Sequence, residues 1–230
     1  MKPVSSTAES PKPDSANLKR IVVVDDHPLF RKGLEQLIAS HDGFAVCAEA
    51  ADAAAAMEVL RGVKPDLVIV DLSLPGANGI ELIKNIRAEF PKLPILVLSM
   101  HDESLYAVRA LKAGAQGYVM KQEALENVIT AIGEVLEGRP YLSRAMSAKL
   151  ITNVASGVNE QSPTDKLSDR ELEILELIGK GRDVREIAKS LHISTKTVET
   201  HRAHIKEKLN LPNARQVARF AIQWLAEQAA

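Results

Sequence analysis

Pro65-Asp66-Leu67-Val68-Ile69-Val70-Asp71 runs directly into Leu72-Ser73-Leu74-Pro75-Gly76-Ala77-Asn78-Gly79, and the reading of this stretch decides the fold. A run of branched apolar side chains ends abruptly in a carboxylate. A Pro/Gly/Asn-rich loop follows, and then Ile80, Leu82, Ile83 and Ile86 recur at helical spacing. So short an apolar run between turn signals predicts a buried parallel strand. Asp71 then stands at the carboxyl end of that strand, where open α/β sheets place their ligand crevices. A lone Asp could equally cap the next helix, so the choice depends on what other strands bring to the same edge.

Working outward, Arg20-Ile21-Val22-Val23-Val24 reads as a strand ending in Asp25-Asp26, with Pro28 at a good first-turn position for a helix. Phe44–Ala48 is a second strand, and an alanine-rich helix (53–60) leads to the Asp71 strand. Leu93–Ser99 is a fourth strand ending in a hydroxyl, and the helix from Ser104 to Ala113 is closed by Gly114. Gln116–Lys121 is a fifth strand ending in an amine, and Glu123–Leu136 is the last helix of this half. Alternating strands and helices predict an α/β fold, a five-stranded parallel sheet with helices on both faces. Right-handed crossovers bring the strands' carboxyl ends to one edge. That edge collects Asp25, Asp26, Asp71, Ser99 and Lys121.

The 230 residues allow two ordinary domains. The formal charge of −1 hides an asymmetry: residues 166–230 hold 12 Lys/Arg against 9 Asp/Glu, and residues 1–165 hold 17 against 21. A basic rear half is compatible with nucleic-acid binding. The one cysteine, Cys47, excludes an internal disulfide framework and fits a reducing compartment as a small buried hydrophobe. No apolar run approaches the ~18–20 residues of a membrane span. Residues 1–18, rich in Ser, Pro and charge, are expected to be a disordered extension and not a signal peptide. The expected setting is the cytoplasm.

Three carboxylates and one ammonium in a small crevice repel one another unless a cation offsets the surplus charge. A hard divalent ion with oxygen ligands such as Mg²⁺ fits that donor set. At this point residues 19–139 resemble the receiver domain of bacterial two-component response regulators, a flavodoxin-like fold. The resemblance rests on Asp25-Asp26, on Asp71 followed by Leu74-Pro75 and Asn78-Gly79, on Ser99, and on Lys112-Ala113-Gly114-Ala115-Gln116-Gly117-Tyr118 leading to Lys121. It implies that Asp71 accepts a phosphoryl group from a histidine kinase. Asp25, Asp26, Asp71 and the Ser73 backbone carbonyl would hold Mg²⁺. Lys121 would pair with the phosphate, Ser99 would turn its hydroxyl to it, and Tyr118 would swing inward. Gln122 stands where many receivers carry Pro.

Residues 140–163 are expected to form a linker, with a short helix over 142–154 and a flexible tether over 155–166. Residues 164–230 are the expected second domain, and 167–230 predict four short helices. Ser168-x-x-Glu171, Asp183-x-x-Glu186 and Asn213-x-x-Gln216 are spaced as capping boxes. The pair 184–191 and 195–209, joined by a brief turn, predicts a helix-turn-helix. On the latter helix Val198, His201, Arg202, Ile205 and Leu209 share an inner stripe, while Lys196, Glu199, Thr200 and Ala203 lie outside with His204 at the margin. His201 and His204 are three apart, but His201 lies on the inner stripe with no Cys or partner His nearby and reads as a packed histidine, not a metal ligand.

Residues 164–228 resemble the LuxR/FixJ-type DNA-binding domain through 167–175, 186–191 and 193–209. This class is also called NarL/FixJ. The resemblance implies that the 195–209 helix reads bases in double-stranded DNA and that two protomers bind paired half-sites. Lys196, Thr197, Glu199, Thr200, Arg202, Ala203, His204, Lys206 and Lys208 are the candidate DNA contacts, with Arg202, Lys206 and Lys208 meeting phosphates. The expected function is a transcriptional response regulator, not an enzyme, that dimerises when phosphorylated and has RNA polymerase among its permitted partners. The enzyme alternative, a phosphatase working through an aspartyl-phosphate, usually has a second acid two residues after the nucleophile, where Ser73 stands. A DNA binder indifferent to phosphorylation leaves the acidic pair, Ser99 and Lys121 unexplained.

Overall fold

The computed structural model describes residues 18–156 and 162–228. The expected extension, apart from Leu18, and part of the expected tether lie outside these. Strands β1 (Lys19–Val24), β2 (Phe44–Ala50), β3 (Leu67–Val70), β6 (Ile95–Ser99) and β7 (Gly117–Met120) form the sheet, in the order β2-β1-β3-β6-β7 with every neighbouring pair parallel. Two strands too short to show a sequence period, β4 (Ser73–Leu74) and β5 (Ala77–Asn78), pair antiparallel across the Pro75-Gly76 turn.

The sheet's two faces divide its residues by alternation. Val22 and Val24 of β1 join Val68 and Val70 under α2 (Ala53–Gly62), α3 (Gly79–Glu89) and α4 (Glu103–Ala113). Ile21 and Val23 face the other way, onto α1 (Pro28–Ala39) and α5 (Ala124–Leu136). The helix starts have local causes. Asp52, Asn78 and Asp102 each accept a backbone N–H of the first turn of α2, α3 and α4, and Gly114 ends α4 at φ 116°. Lys121 lies just past β7, in a 3₁₀ turn over Lys121–Glu123.

The linker helix α6 spans Arg144–Ser156, two residues later than expected. Residues 163–166 of the expected tether are ordered as a 3₁₀ turn with Thr164 buried. The second domain has α7 (Asp169–Gly179), α8 (Val184–Ser190), α9 (Thr195–Lys208) and α10 (Ala214–Gln228). Full capping boxes start α7 and α8. For α10 only the forward bond is present, from Gln216 N–H to Asn213 Oδ1. The apolar core of this domain is continuous with the α2–α3–α4 side of the sheet, so the two domains share one buried cluster.

Candidate functional site

The carboxyl edge of the sheet brings together the groups the strand alternation predicts. Asp25 follows β1, Asp71 follows β3, Ser99 closes β6, and Lys121 follows β7; Asp25, Asp71 and Ser99 are buried. Lys121 Nζ lies between two acids, 2.5 Å from Asp25 Oδ2 and 2.6 Å from Asp71 Oδ2. The Phe30 ring sits beneath the same ammonium, 4.5 Å from centroid to Nζ, so its negative face adds to the attraction. The other Asp71 oxygen accepts from the Ser73 N–H at 3.1 Å. Burial pushes the Asp71 carboxyl up, and Lys121 and the Ser73 N–H pull it back only in part.

Ligand atoms of Asp25, Asp26, His27 and Asp71 lie within 4.8 Å of one another. The Asp26 Oδ1 atom is buried and accepts no hydrogen bond, although His27 Nδ1 lies 2.6 Å away without the alignment of one. A buried carboxylate oxygen that accepts no hydrogen bond, beside two buried acids offset by one ammonium, suits a hard divalent cation. His27 and Phe30 are additions that the sequence pattern did not single out.

Ser99 Oγ accepts the His101 N–H at 3.3 Å. Tyr118 is buried, its hydroxyl donating to the His101 carbonyl at 2.9 Å. His101, also unforeseen, spans the site and the second domain. Its Nε2 pairs with Ser73 Oγ at 3.1 Å and its Nδ1 with Glu176 Oε2 of α7 at 3.1 Å. The Tyr106 hydroxyl donates to that same Glu176 oxygen at 2.7 Å, and the His101 and Tyr106 rings lie against each other at a 36° tilt with centroids 4.4 Å apart. Burial alone would depress the His101 imidazolium, but Glu176, Glu173 and Asp71 together raise it above the ordinary histidine value. Burial would likewise push Glu176 up, yet His101, Lys180 and Tyr106 bring its carboxyl down to about 2.

Further contacts tie α7 to the receiver half. Asn78 Nδ2 donates to Glu173 at 3.3 Å, and Lys84 pairs with Asp169 at 3.0 Å. Arg109 donates to the Leu167 and Thr164 carbonyls at 2.9 and 2.7 Å and pairs with Asp169 at 3.0 Å. In this arrangement α9 remains open to solvent. Lys196, Glu199, Thr200, Ala203, His204 and Lys206 are exposed, while Val198 and Ile205 are buried beneath.

The helix-turn-helix bend passes through His192 at φ 53°, and Ser194 caps α9 by accepting the Thr197 N–H. Thr197 Oγ1 is engaged with Ser194 Oγ at 2.8 Å, and Arg202 is half-buried, one guanidinium nitrogen 3.2 Å from Glu199. Lys208 pairs with Glu171 at 2.7 Å, whereas Lys196 and Lys206 make no ion pair with any described residue. Glu171, His201 and His204 approach one another; Lys208 and the Ser168 N–H occupy Glu171 Oε2, while Oε1 lies 3.6 Å from Nδ1 of the exposed His204.

Comparison with known proteins agrees with both halves. Residues 21–133 match the response regulator receiver domain, and residues 165–221 match the luxR family of bacterial regulatory proteins. The oxygen regulatory protein NreC of Staphylococcus aureus is 36% identical over 210 residues, which cover 89% of this chain and 97% of that protein. Among solved structures, RcsB of Salmonella enterica serovar Typhimurium bound to promoter rprA in the presence of phosphomimetic BeF3⁻ aligns with a TM-score of 0.61 at 29% identity. That alignment covers 89% of this chain and 98% of that one. A LuxR-family two-component response regulator from Aurantimonas aligns with a TM-score of 0.56 at 40% identity, over 60% of this chain and 99% of the other.

Proposed function

The chain belongs to the bacterial response regulators that join a receiver to a luxR-type DNA-binding domain, and from that premise we propose that Asp71 is its phosphoacceptor and a sensor histidine kinase its donor. The observation that carries this reading is the Lys121 ammonium held between Asp25 and Asp71, with an Asp26 oxygen beside them that accepts no hydrogen bond and has only the His27 ring against it. An Asp71 oxygen attacks phosphorus, the bond to the kinase imidazole breaks, and the imidazole nitrogen keeps the electron pair. Such transfer asks chiefly for positioning and charge neutralisation. Asp25, Asp26, Asp71 and the Ser73 carbonyl would hold Mg²⁺, which when bound offsets charge on the transferred oxygens. Lys121 shifts from the two acids to the phosphoryl group, and the Ser99 hydroxyl donates to it.

Phosphorylation then governs DNA binding by the second domain, as a homodimer on paired half-sites. Lys196, Glu199, Thr200 and Ala203 meet base edges, with His204 at their margin. Thr197, at the cap, and Arg202, beside Glu199, lie at the edge of this surface; Lys206 meets phosphates, while Lys208, held on Glu171, serves the fold of the helical domain. Among the described residues no helix is long and apolar enough to cross a membrane, and the reading places the chain in the cytoplasm. The test is labelling by acetyl phosphate. Wild type should acquire a hydroxylamine-sensitive phosphoryl group and the Asp71→Asn variant should acquire none; equal labelling of the variant rejects Asp71 as acceptor.

A further inference from the structure

We propose that His101 is a positioning residue that couples the rim to α7: its Nδ1 holds Glu176 while Asp71 is unmodified, and once Asp71 carries a phosphoryl group its Nε2 is drawn from Ser73 toward the new oxygens and the ring is pulled off Glu176, releasing the DNA-binding domain. This rests on the reading of Asp71 as phosphoacceptor. The geometry behind it is the ring's double attachment, Nε2 on Ser73 Oγ and Nδ1 on Glu176 Oε2, each at 3.1 Å. Ser73 is the residue whose backbone N–H already bonds Asp71, so the ring borders the place where phosphoryl oxygens arrive. The backbone of His101 is also fixed at both ends. Its N–H bonds Ser99 Oγ and its carbonyl accepts from Tyr118, so movement of either reaches the ring.

The electrostatics set the direction. Phosphorylation adds ~1.5–2 negative charges and three strong acceptors at this rim. The docked α7 aims two buried carboxylates at the same rim: Glu176 on His101, and Glu173 on Asn78 with its other oxygen 3.9 Å from His101 Nε2. Nδ1 and Nε2 belong to one rigid ring, so a shift that takes Nε2 from Ser73 toward the phosphoryl oxygens carries Nδ1 away from Glu176. Both carboxylates lose favourable field when the new charge forms, and each stays buried only while docked. Undocking returns them to water, where their charge costs little. Because such coupling is reciprocal, releasing α7 must also favour the modified state of Asp71.

Reciprocity supplies a test that separates this role from simple interface packing. Beryllofluoride, a phosphoryl mimic, is titrated into the full-length chain with Mg²⁺, and hydrogen exchange is followed across α4 and α7. In wild type, beryllofluoride should speed exchange in α7. Glu176→Gln should speed it without the mimic and tighten beryllofluoride binding, by a factor within the roughly 5–150-fold span of coupled sites. Tyr106→Phe, which removes one donor to Glu176, should do both more weakly. His101→Ala should loosen α7 yet bind beryllofluoride no tighter than wild type. If Glu176→Gln loosens α7 and leaves beryllofluoride affinity unchanged, or if α7 stays protected in both Glu176→Gln and His101→Ala, the proposal is overturned. If wild type binds no beryllofluoride, or Asp71→Asn binds it equally, the phosphoacceptor reading fails first, and that result is told apart from the others.

Discussion

At the scale of single residues, the phosphoacceptor edge depends on Gly79 as much as on the acids. A Cβ built at Gly79 would meet the Asp71 carbonyl oxygen and the Leu72 Cα at 2.4 Å, both rigid backbone. Its N–H meanwhile bonds the Leu72 carbonyl at 2.9 Å, which closes the loop behind Asp71. Gly79→Ala should therefore cost about 1–3 kcal/mol of receiver stability through overpacking. It should also slow acetyl phosphate labelling by displacing Asp71, an outcome read by thermal melting and labelling rate together. Unchanged labelling in a folded variant would mean that this close approach does not position the acid. The sequence shows Asp25, Asp71, Ser99 and Lys121 because each terminates an apolar run, which is a periodic signal. His101 has no such signal. Its partners Ser73 and Glu176 stand 28 and 75 positions away, and nothing in a polar loop announces either.

At the scale of elements, the sheet and its helices are legible because period, caps and glycine stops agree. The β4–β5 hairpin is not, since two-residue strands carry no alternation. On α9, pattern alone makes Lys206 and Lys208 equivalent cations, and the fold separates them. Lys208 is held on Glu171, while Lys206 is exposed without an ion pair to any described residue. Lys206→Ala should lower DNA affinity similarly on all sequences and reduce the salt slope of binding by about 1. Lys208→Ala should instead lower the stability of the helical domain, because the buried Glu171 loses a cation. Matching salt slopes for the two variants would contradict this division. The capping box on α7 gives an independent check: Ser168→Ala should cost about 1 kcal/mol, read by denaturant midpoint, with the DNA salt slope unchanged.

At the scale of the whole molecule, the sequence is silent about how the two halves meet. Glu173 and Glu176 alternate with apolar residues along α7 and read as an ordinary solvated face. They are buried because Asn78, His101 and Tyr106 cover them from another domain. That arrangement has a pH consequence. Glu176 faces His101, Tyr106 and Lys180, with Glu173 nearby, and its carboxyl sits at about 2 against an ordinary 4.5. Lys180 belongs to the same domain and stays with Glu176 after separation, so the part of the depression due to His101 and Tyr106 is the docking share. That share adds stability that is complete above the undocked value and is lost as pH falls toward the docked value. The domains should accordingly separate as pH drops through the window from about 4.5 toward 2, seen as a rise in radius of gyration by small-angle scattering. Glu176→Gln cannot lose a charge there, so its smaller docked fraction should vary less with pH across that window. Were wild type and Glu176→Gln to open along the same pH curve, the acid sensitivity would belong to the Asp169 pairs with Lys84 and Arg109, and α7 would be held to the receiver by those contacts instead.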